Sequence, residues 1–160
     1  MKKLLLSTIL LLGLIHFANA QDQSENNLGL RLSSNDGFGT EISYQRKLTS
    51  VNRFEIDLGW KSAEKFSAVK LTGLYQWIWN IDQGFNWYSG FGGGLGNWNS
   101  TITGNNGSGN FLYAAGVIGI EYNFDFPLQL SLDLRPEFGG NSYNETNFRS
   151  DLALGIRYKF

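Results

Sequence analysis

Apolar and polar side chains take turns along most of this chain, and the alternation is interrupted at intervals by short runs of turn-forming residues. The pattern is clearest at the end, where Leu152, Leu154, Ile156, Tyr158 and Phe160 share one side and Asp151, Arg157 and Lys159 the other. A strand sends successive side chains to opposite faces, so this segment makes a wall with one apolar and one polar surface. One surface suits lipid and the other suits water.

Read from the front, the same rule finds seven more strands. Leu28, Leu30 and Leu32 alternate with Gly29, Arg31 and Ser33, and Asn35, Asp36 and Gly37 supply a turn. Phe38, Thr40, Ile42 and Tyr44 then alternate with Gly39, Glu41, Ser43 and Gln45. The third strand sets Phe54, Ile56, Leu58 and Trp60 against Glu55, Asp57, Gly59 and Lys61. The fourth sets Val69, Leu71, Tyr75, Trp77 and Trp79 against Lys70, Thr72, Gln76 and Asn80, with Leu74 and Ile78 blurring the phase. Asp82, Gln83 and Gly84 turn the chain into a fifth strand over 85–97, where Phe85, Trp87, Phe91 and Leu95 oppose Asn86, Tyr88 and glycines.

Residues 97–110 are rich in Asn, Gly, Ser and Thr without a period, which predicts a mobile surface loop. A sixth strand over 111–124 places Leu112, Ala114, Ile118, Ile120 and Tyr122 opposite Tyr113, Gly119, Glu121 and Asn123. After Asp125, Phe126 and Pro127, the seventh alternates Leu128, Leu130, Leu132 and Leu134 with Gln129, Ser131, Asp133, Arg135 and Glu137. A second polar loop, 139–147, leads to the final strand.

Eight antiparallel strands are the smallest even number found in membrane barrels, and closure removes the unpaired edges that hydrocarbon cannot solvate. The expected fold class is therefore all-β, an eight-stranded antiparallel transmembrane β-barrel. The connections agree: 97–110 and 139–147 are long and polar, while those near 50, 83 and 126 are short, as external loops and periplasmic turns should be. Aromatic residues collect near the strand ends. Trp79, Phe85, Trp87, Phe124, Phe126, Tyr158 and Phe160 fall at one rim and Trp60, Phe66, Trp98 and Phe138 at the other, the placement expected of interfacial girdles.

The front of the chain predicts export. Lys2 and Lys3 precede the apolar run 4–15, and Ala18, Asn19 and Ala20 form a small-residue cleavage site, so residues 1–20 read as a secretory signal peptide. The run is too short for a membrane anchor. Residues 21–27 are a polar lead, and 28–160 form the barrel domain. Cleavage leaves 11 basic and 14 acidic residues, a net charge of −3 that provides no nucleic-acid footprint. Mean hydropathy of −0.22 hides the lipid face, because alternation averages it away.

Chemistry is constrained by what the mature chain lacks. It has no cysteine, and its one histidine, His16, leaves with the signal peptide, so disulfides, soft metal sites and histidine-based catalysis are not expected. Glu55 and Asp57 could pose as an acid/base pair, but i, i+2 carboxylates are what any polar strand face supplies. The glycine run from Gly90 to Gly96 lacks the Gly-Lys-Ser/Thr ending of a phosphate loop and continues a strand, so these residues are expected to relieve crowding beside Tyr88 or Tyr113. Asn99, Asn106 and Asn144 begin glycan-acceptor patterns and serve only as surface markers. No catalytic, cofactor-binding or metal-binding residue is assigned, and the chain is expected not to be an enzyme.

The inward wall collects Arg31, Glu41, Glu55, Asp57, Lys61, Lys70, Glu121, Asp133, Arg135, Glu137, Arg157 and Lys159. Eight strands enclose little more than their own side chains, so these charges are expected to plug the lumen by pairing. A narrow pore for small solutes is one alternative. A soluble periplasmic ligand-binding barrel of lipocalin type is another, and it would need the apolar wall to face inward.

The apolar alternation that ends on Tyr158, Lys159 and Phe160 resembles the terminal signal by which bacterial outer-membrane barrels are recognised for insertion. Over residues 28–160 the chain resembles the small barrels of the OmpA transmembrane-domain, OmpX and OmpW type. The resemblance implies a cell outer membrane location and a non-enzymatic role in membrane integrity or surface contact. It also implies as partners outer-membrane lipid and lipopolysaccharide, the barrel assembly machinery at the strand ending in Phe160, and an extracellular partner at loops 97–110 and 139–147. Trp98, Asn99, Ile102, Asn105, Asn106, Tyr143 and Asn144 are the loop residues expected to make such contacts. Nothing follows Phe160 that would supply the peptidoglycan-binding domain of full-length OmpA-like proteins.

Overall fold

The computed structural model describes residues 25–33, 39–102, 105–139 and 148–160. The expected signal peptide, the expected turn at Asn35, and Phe38, Tyr143 and Asn144 lie outside the described residues. Eight strands follow in chain order: β1 (Asn26–Ser33), β2 (Thr40–Lys47), β3 (Asn52–Ala63), β4 (Phe66–Asp82), β5 (Phe85–Ile102), β6 (Asn105–Asn123), β7 (Leu128–Phe138) and β8 (Phe148–Lys159). Each pairs antiparallel with the next, and β1 pairs with β8 through Leu30↔Ile156 and Leu32↔Leu154, so the sheet closes on itself.

The apolar wall faces outward. Leu28, Ile42, Leu58, Leu71, Ile118, Leu132 and Leu154 are all exposed, while the residues that alternate with them are buried inside. A calyx with a greasy interior is thereby replaced by its inverse. One exception is local: Leu74 points inward and packs with Ala115, Val117 and Tyr88, with Ile78 and Tyr113 beside them. Leu74 and Ile78 break the β4 pattern because they belong to this small interior cluster.

The end of the barrel that carries Asn26, Phe160 and the connections near 50, 83 and 126 is here called the near mouth, and the opposite end the far mouth. Around the near mouth, aromatic rings form a chain of contacts: Trp79 stacks on Trp87 at 4.3 Å, Phe85 meets Tyr122 at 4.7 Å, and Tyr122 meets Phe124 at 4.7 Å. At the far mouth Phe138 packs on Phe148 at 4.9 Å and Trp60 is exposed on the same outer surface. Rings of this amphipathic kind settle at membrane interfaces.

Two expectations are corrected. Residues 97–110 are not a loop: β5 and β6 stay paired from Asn97↔Asn110 to Ile102↔Asn105, so most of the segment is a long hairpin. The outward face of this upper ladder carries Asn97, Asn99 and Thr101 in place of apolar side chains, so it keeps its backbone bonds without showing the alternation that marked the lower strands. Phe66 and Trp98 also leave the outer girdle, because they share the inward faces of β4 and β5 with buried Ala68 and Ser100. In the polar hairpin no apolar phase marks which side is which. A smaller shift occurs at the start, where Asn26 and Asn27 already pair with Arg46 and Gln45.

Candidate functional site

The lumen is where this sequence concentrates chemically capable side chains. β1, β2, β3, β7 and β8 each turn at least one charged residue inward among their alternate positions, and closure brings these charges face to face. Arg31 donates to Asp133 at 2.7 Å, to Asp151 at 2.8 Å and to Glu41 at 3.2 Å. Arg135 reaches Asp57 at 2.6 Å, Glu55 at 2.9 Å and Glu41 at 3.2 Å. Arg157 donates to Ser131 at 2.7 Å and Ser43 at 2.9 Å, with Glu55 at 3.4 Å. All three arginines are 0% exposed.

Toward the far mouth, the Lys70 ammonium lies 2.9 Å from both Glu41 and Glu137. Ser33 donates to Asp151, and the hydroxyls of Thr72 and Tyr113 hydrogen-bond to each other. Toward the near mouth, Arg53 holds Glu121 and Gln76 and sits 4.5 Å above the centre of the Tyr88 ring. Tyr88 in turn donates to Asp133 at 3.3 Å. Bidentate and forked contacts of this sort suit guanidinium, which is why arginine rather than lysine occupies the deepest positions.

Nine of the twelve expected lumen charges are buried there, namely Arg31, Glu41, Glu55, Asp57, Lys70, Glu121, Asp133, Arg135 and Arg157. Glu137 is partly covered, and Lys61 and Lys159 sit at the two mouths, Lys159 donating to the Phe124 carbonyl at 2.7 Å. Arg53 was not among the expected charges. It lies on the first turn of phase in β3, before the alternation of Phe54, Ile56 and Leu58 becomes established, and the signal that finds it is its i, i+2 spacing from Glu55. Glu55 and Asp57, the tempting carboxylate pair, both bind Arg135 and are almost fully enclosed.

Across the lumen from the charges, β5 and β6 provide space. A Cβ at Gly94 would lie 2.4 Å from the Tyr113 ring, and one at Gly119 would lie 2.6 Å from the Tyr88 ring. Within the glycine run, Gly94 is thus a shelf for Tyr113, as the sequence led us to expect, whereas the shelf under Tyr88 is Gly119 on β6, outside the run.

No family model and no curated protein matches the chain. Solved structures do. Neisserial surface protein A is 18% identical, with 84% of this chain and 94% of that one covered at a TM-score of 0.60. The N-terminal β-barrel domain of OprF from Pseudomonas aeruginosa is 14% identical, with 87% and 100% covered at 0.68. Ail, the attachment invasion locus protein of Yersinia pestis, is 14% identical, with 86% and 98% covered at 0.56. The chain has the fold of the small eight-stranded outer-membrane β-barrels.

The remaining candidate residues that are described lie at the far mouth. Asn99 is exposed on the outer face of β5, whereas Trp98 turns inward beneath Gly107 and Gly109. Ile102 and Asn105 close the described ladder as a pair, and Asn106 pairs with Thr101. The hairpin therefore brings together the first five of the seven loop candidates.

Proposed function

We propose that this protein is a non-enzymatic barrel of the cell outer membrane, with a lumen plugged by its own ion pairs and with surface contacts made at the far mouth. The observation that carries this reading is the inversion of the usual globular order: apolar side chains outside, fully enclosed arginines inside. An exposed apolar belt that runs right round a closed barrel is the surface a bilayer covers. In this reading outer-membrane lipid and lipopolysaccharide cover the belt, and β8 with Phe160 is what the barrel assembly machinery engages. The near mouth, with its short connections, faces the periplasm. The polar β5–β6 hairpin and the 139–147 segment face outward, where the hairpin presents Asn99 and its neighbours to a partner.

The narrow-pore alternative is disfavoured by the lumen itself, since Arg31, Arg135 and Arg157 fill its middle with 0% exposure. The test is fractionation of expressing cells with gel migration of unheated and heated samples. A faster-running folded species in the outer-membrane fraction is the expected result. A soluble species without a heat shift would overturn the proposal.

A further inference from the structure

From the upper edge of the apolar belt to the far mouth, β5 and β6 repeat one arrangement on their inward side. Tyr113 pairs with Gly94, Phe111 with Gly96, and Trp98 with Gly109, so three successive inward pairs each set one aromatic ring beside one glycine. Each ring lies across the strand that carries its glycine. A Cβ at Gly109 would come within 3.0 Å of the Trp98 indole nitrogen, and one at Gly107 within 3.3 Å of Cη2 at the far edge of the same ring. Side chains at Gly96 and Gly94 would collide with the Phe111 and Tyr113 rings in the same way. The rings thus settle against the sheet and descend from the far mouth in the order Trp98, Phe111, Tyr113. Phe111 and Tyr113 sit 6.0 Å apart with their planes 28° from parallel. The lowest step ends on the charged plug, where Tyr113 bonds Thr72 and Lys70 lies 5.8 Å from the ring centre.

Packing accounts for one side of each ring and not for the other. Tyr88 uses the same device on Gly119 and is 1% exposed, whereas Trp98, Phe111 and Tyr113 all keep part of their surface open. A ring held against a sheet has its accessible surface on the side away from it, which here is the space under the far mouth. That wall is also uncharged: from Gln83 to Ile120 the chain has no Asp, Glu, Lys or Arg. Lys61 on β3 and Arg149 on β8 bring charge to the same end of the barrel only from other strands.

The occupant that fits such a wall has flat apolar faces for the rings, polar edges for water and no charge. A phosphate or sulfate finds no cation on these two strands to pair with. An acyl chain is met by the outward wall and not by the inward one. A pyranose has the required build, with a face of C–H groups that meets the negative face of an aromatic ring and a rim of hydroxyls.

We propose that Trp98, Phe111 and Tyr113 form a stacking ramp for a neutral oligosaccharide that enters the far mouth. The inference rests on the reading of that mouth as a contact surface and names the chemistry of the partner. Successive sugar units meet successive rings, so affinity grows with chain length, and the plug below Tyr113 makes the ramp a binding site and not a passage.

The experiment is isothermal titration of the full-length mature barrel, refolded in a zwitterionic detergent with no sugar headgroup. The probes are maltohexaose, cellohexaose, N-acetylchitohexaose, their monosaccharides and a heparin hexasaccharide. Saturable binding of at least one neutral hexasaccharide is expected, with its monosaccharide weaker by about tenfold or more because it meets a single ring. Trp98→Leu and Phe111→Leu keep an apolar side chain but remove the ring face, and each should weaken binding by about tenfold. Trp98→Phe keeps a ring and should stay within about threefold of wild type. An unchanged heat shift on the gel establishes that each variant is folded. No saturable binding by any neutral hexasaccharide would overturn the proposal, and so would folded leucine variants that bind as wild type does. Tighter binding of the heparin fragment would overturn it too and assign the mouth to Lys61 and Arg149. The titration needs no orientation in a membrane, so its failure is distinct from failure of the outer-surface reading, which shows in cell fractionation.

Discussion

Arg135 on β7 and Asp57 on β3 meet across the full width of the barrel, guanidinium Nη2 to carboxylate Oδ2 at 2.6 Å. Three strands separate them on either side of the ring, so the contact ties opposite walls together. The same guanidinium also holds Glu41 and Glu55, which makes Arg135 the shared counter-charge of three enclosed carboxylates.

Arg135→Met should therefore be costly out of proportion to its volume. Removing one partner of a buried ionic group strands the other, a loss of about 3–5 kcal/mol. Urea titration of the folded barrel in detergent, followed by the heat-shifted gel band, measures it. Arg135→Lys should fall between the two, since a single ammonium cannot reproduce the fork. Wild-type stability of Arg135→Met would show that the network is decoration on a barrel held by its backbone ladder.

The glycine shelf gives a second test. Gly94→Ala would set a methyl 2.4 Å from the Tyr113 ring and 2.5 Å from the Leu71 carbonyl oxygen. Overpacking of this kind costs about 1–3 kcal/mol. Trimming the ring with Tyr113→Ala should recover part of the loss, so the double variant is less destabilised than the two single changes added together. Strict additivity would mean that Gly94 and Tyr113 do not crowd each other.

Depth along β8 supplies the third. Leu154 and Ser150 both point outward, but Leu154 lies in the apolar belt and Ser150 above it. An arginine at the bilayer midplane of a barrel costs about 2–4 kcal/mol, and near an interface about 0–1 kcal/mol. Leu154→Arg should follow the first figure and Ser150→Arg the second, in unfolding from lipid vesicles. Equal costs would contradict the membrane placement.

The hairpin can be shortened without touching the membrane wall. Deleting residues 99–109 keeps every β5–β6 pair from Gly96↔Phe111 downward and leaves Asn97, Trp98 and Asn110 as a three-residue turn. The shortened protein should fold with an unchanged heat shift and lose binding to cells or matrix. Retained binding would move the contact surface away from this hairpin.

How much of this was legible in the sequence follows from what each region is in contact with. Strand phase was readable wherever one face belongs to the exposed apolar belt, as in Phe54, Ile56, Leu58 and Trp60 against Glu55, Asp57 and Gly59. The phase names a face but not a partner. Arg31 and Asp151 stand 120 residues apart in sequence and meet only because β1 closes on β8. Above the belt the outward face carries polar Asn97, Asn99 and Thr101, so no apolar face marks the phase, and the upper ladder of β5 and β6 read as a loop and Trp98 as an outward ring. Leu74 misled for the opposite reason: an apolar residue on the polar wall has its own small interior cluster with Val117 and Ala115.

The central claim is that the ion pairs seal the lumen, and single-channel recording of the refolded full-length mature protein in a planar bilayer tests it most directly. The sealed lumen predicts no steady, reproducible conductance level across repeated insertions. A uniform open level that persists at constant voltage would contradict it and make the enclosed arginines the lining of a pore.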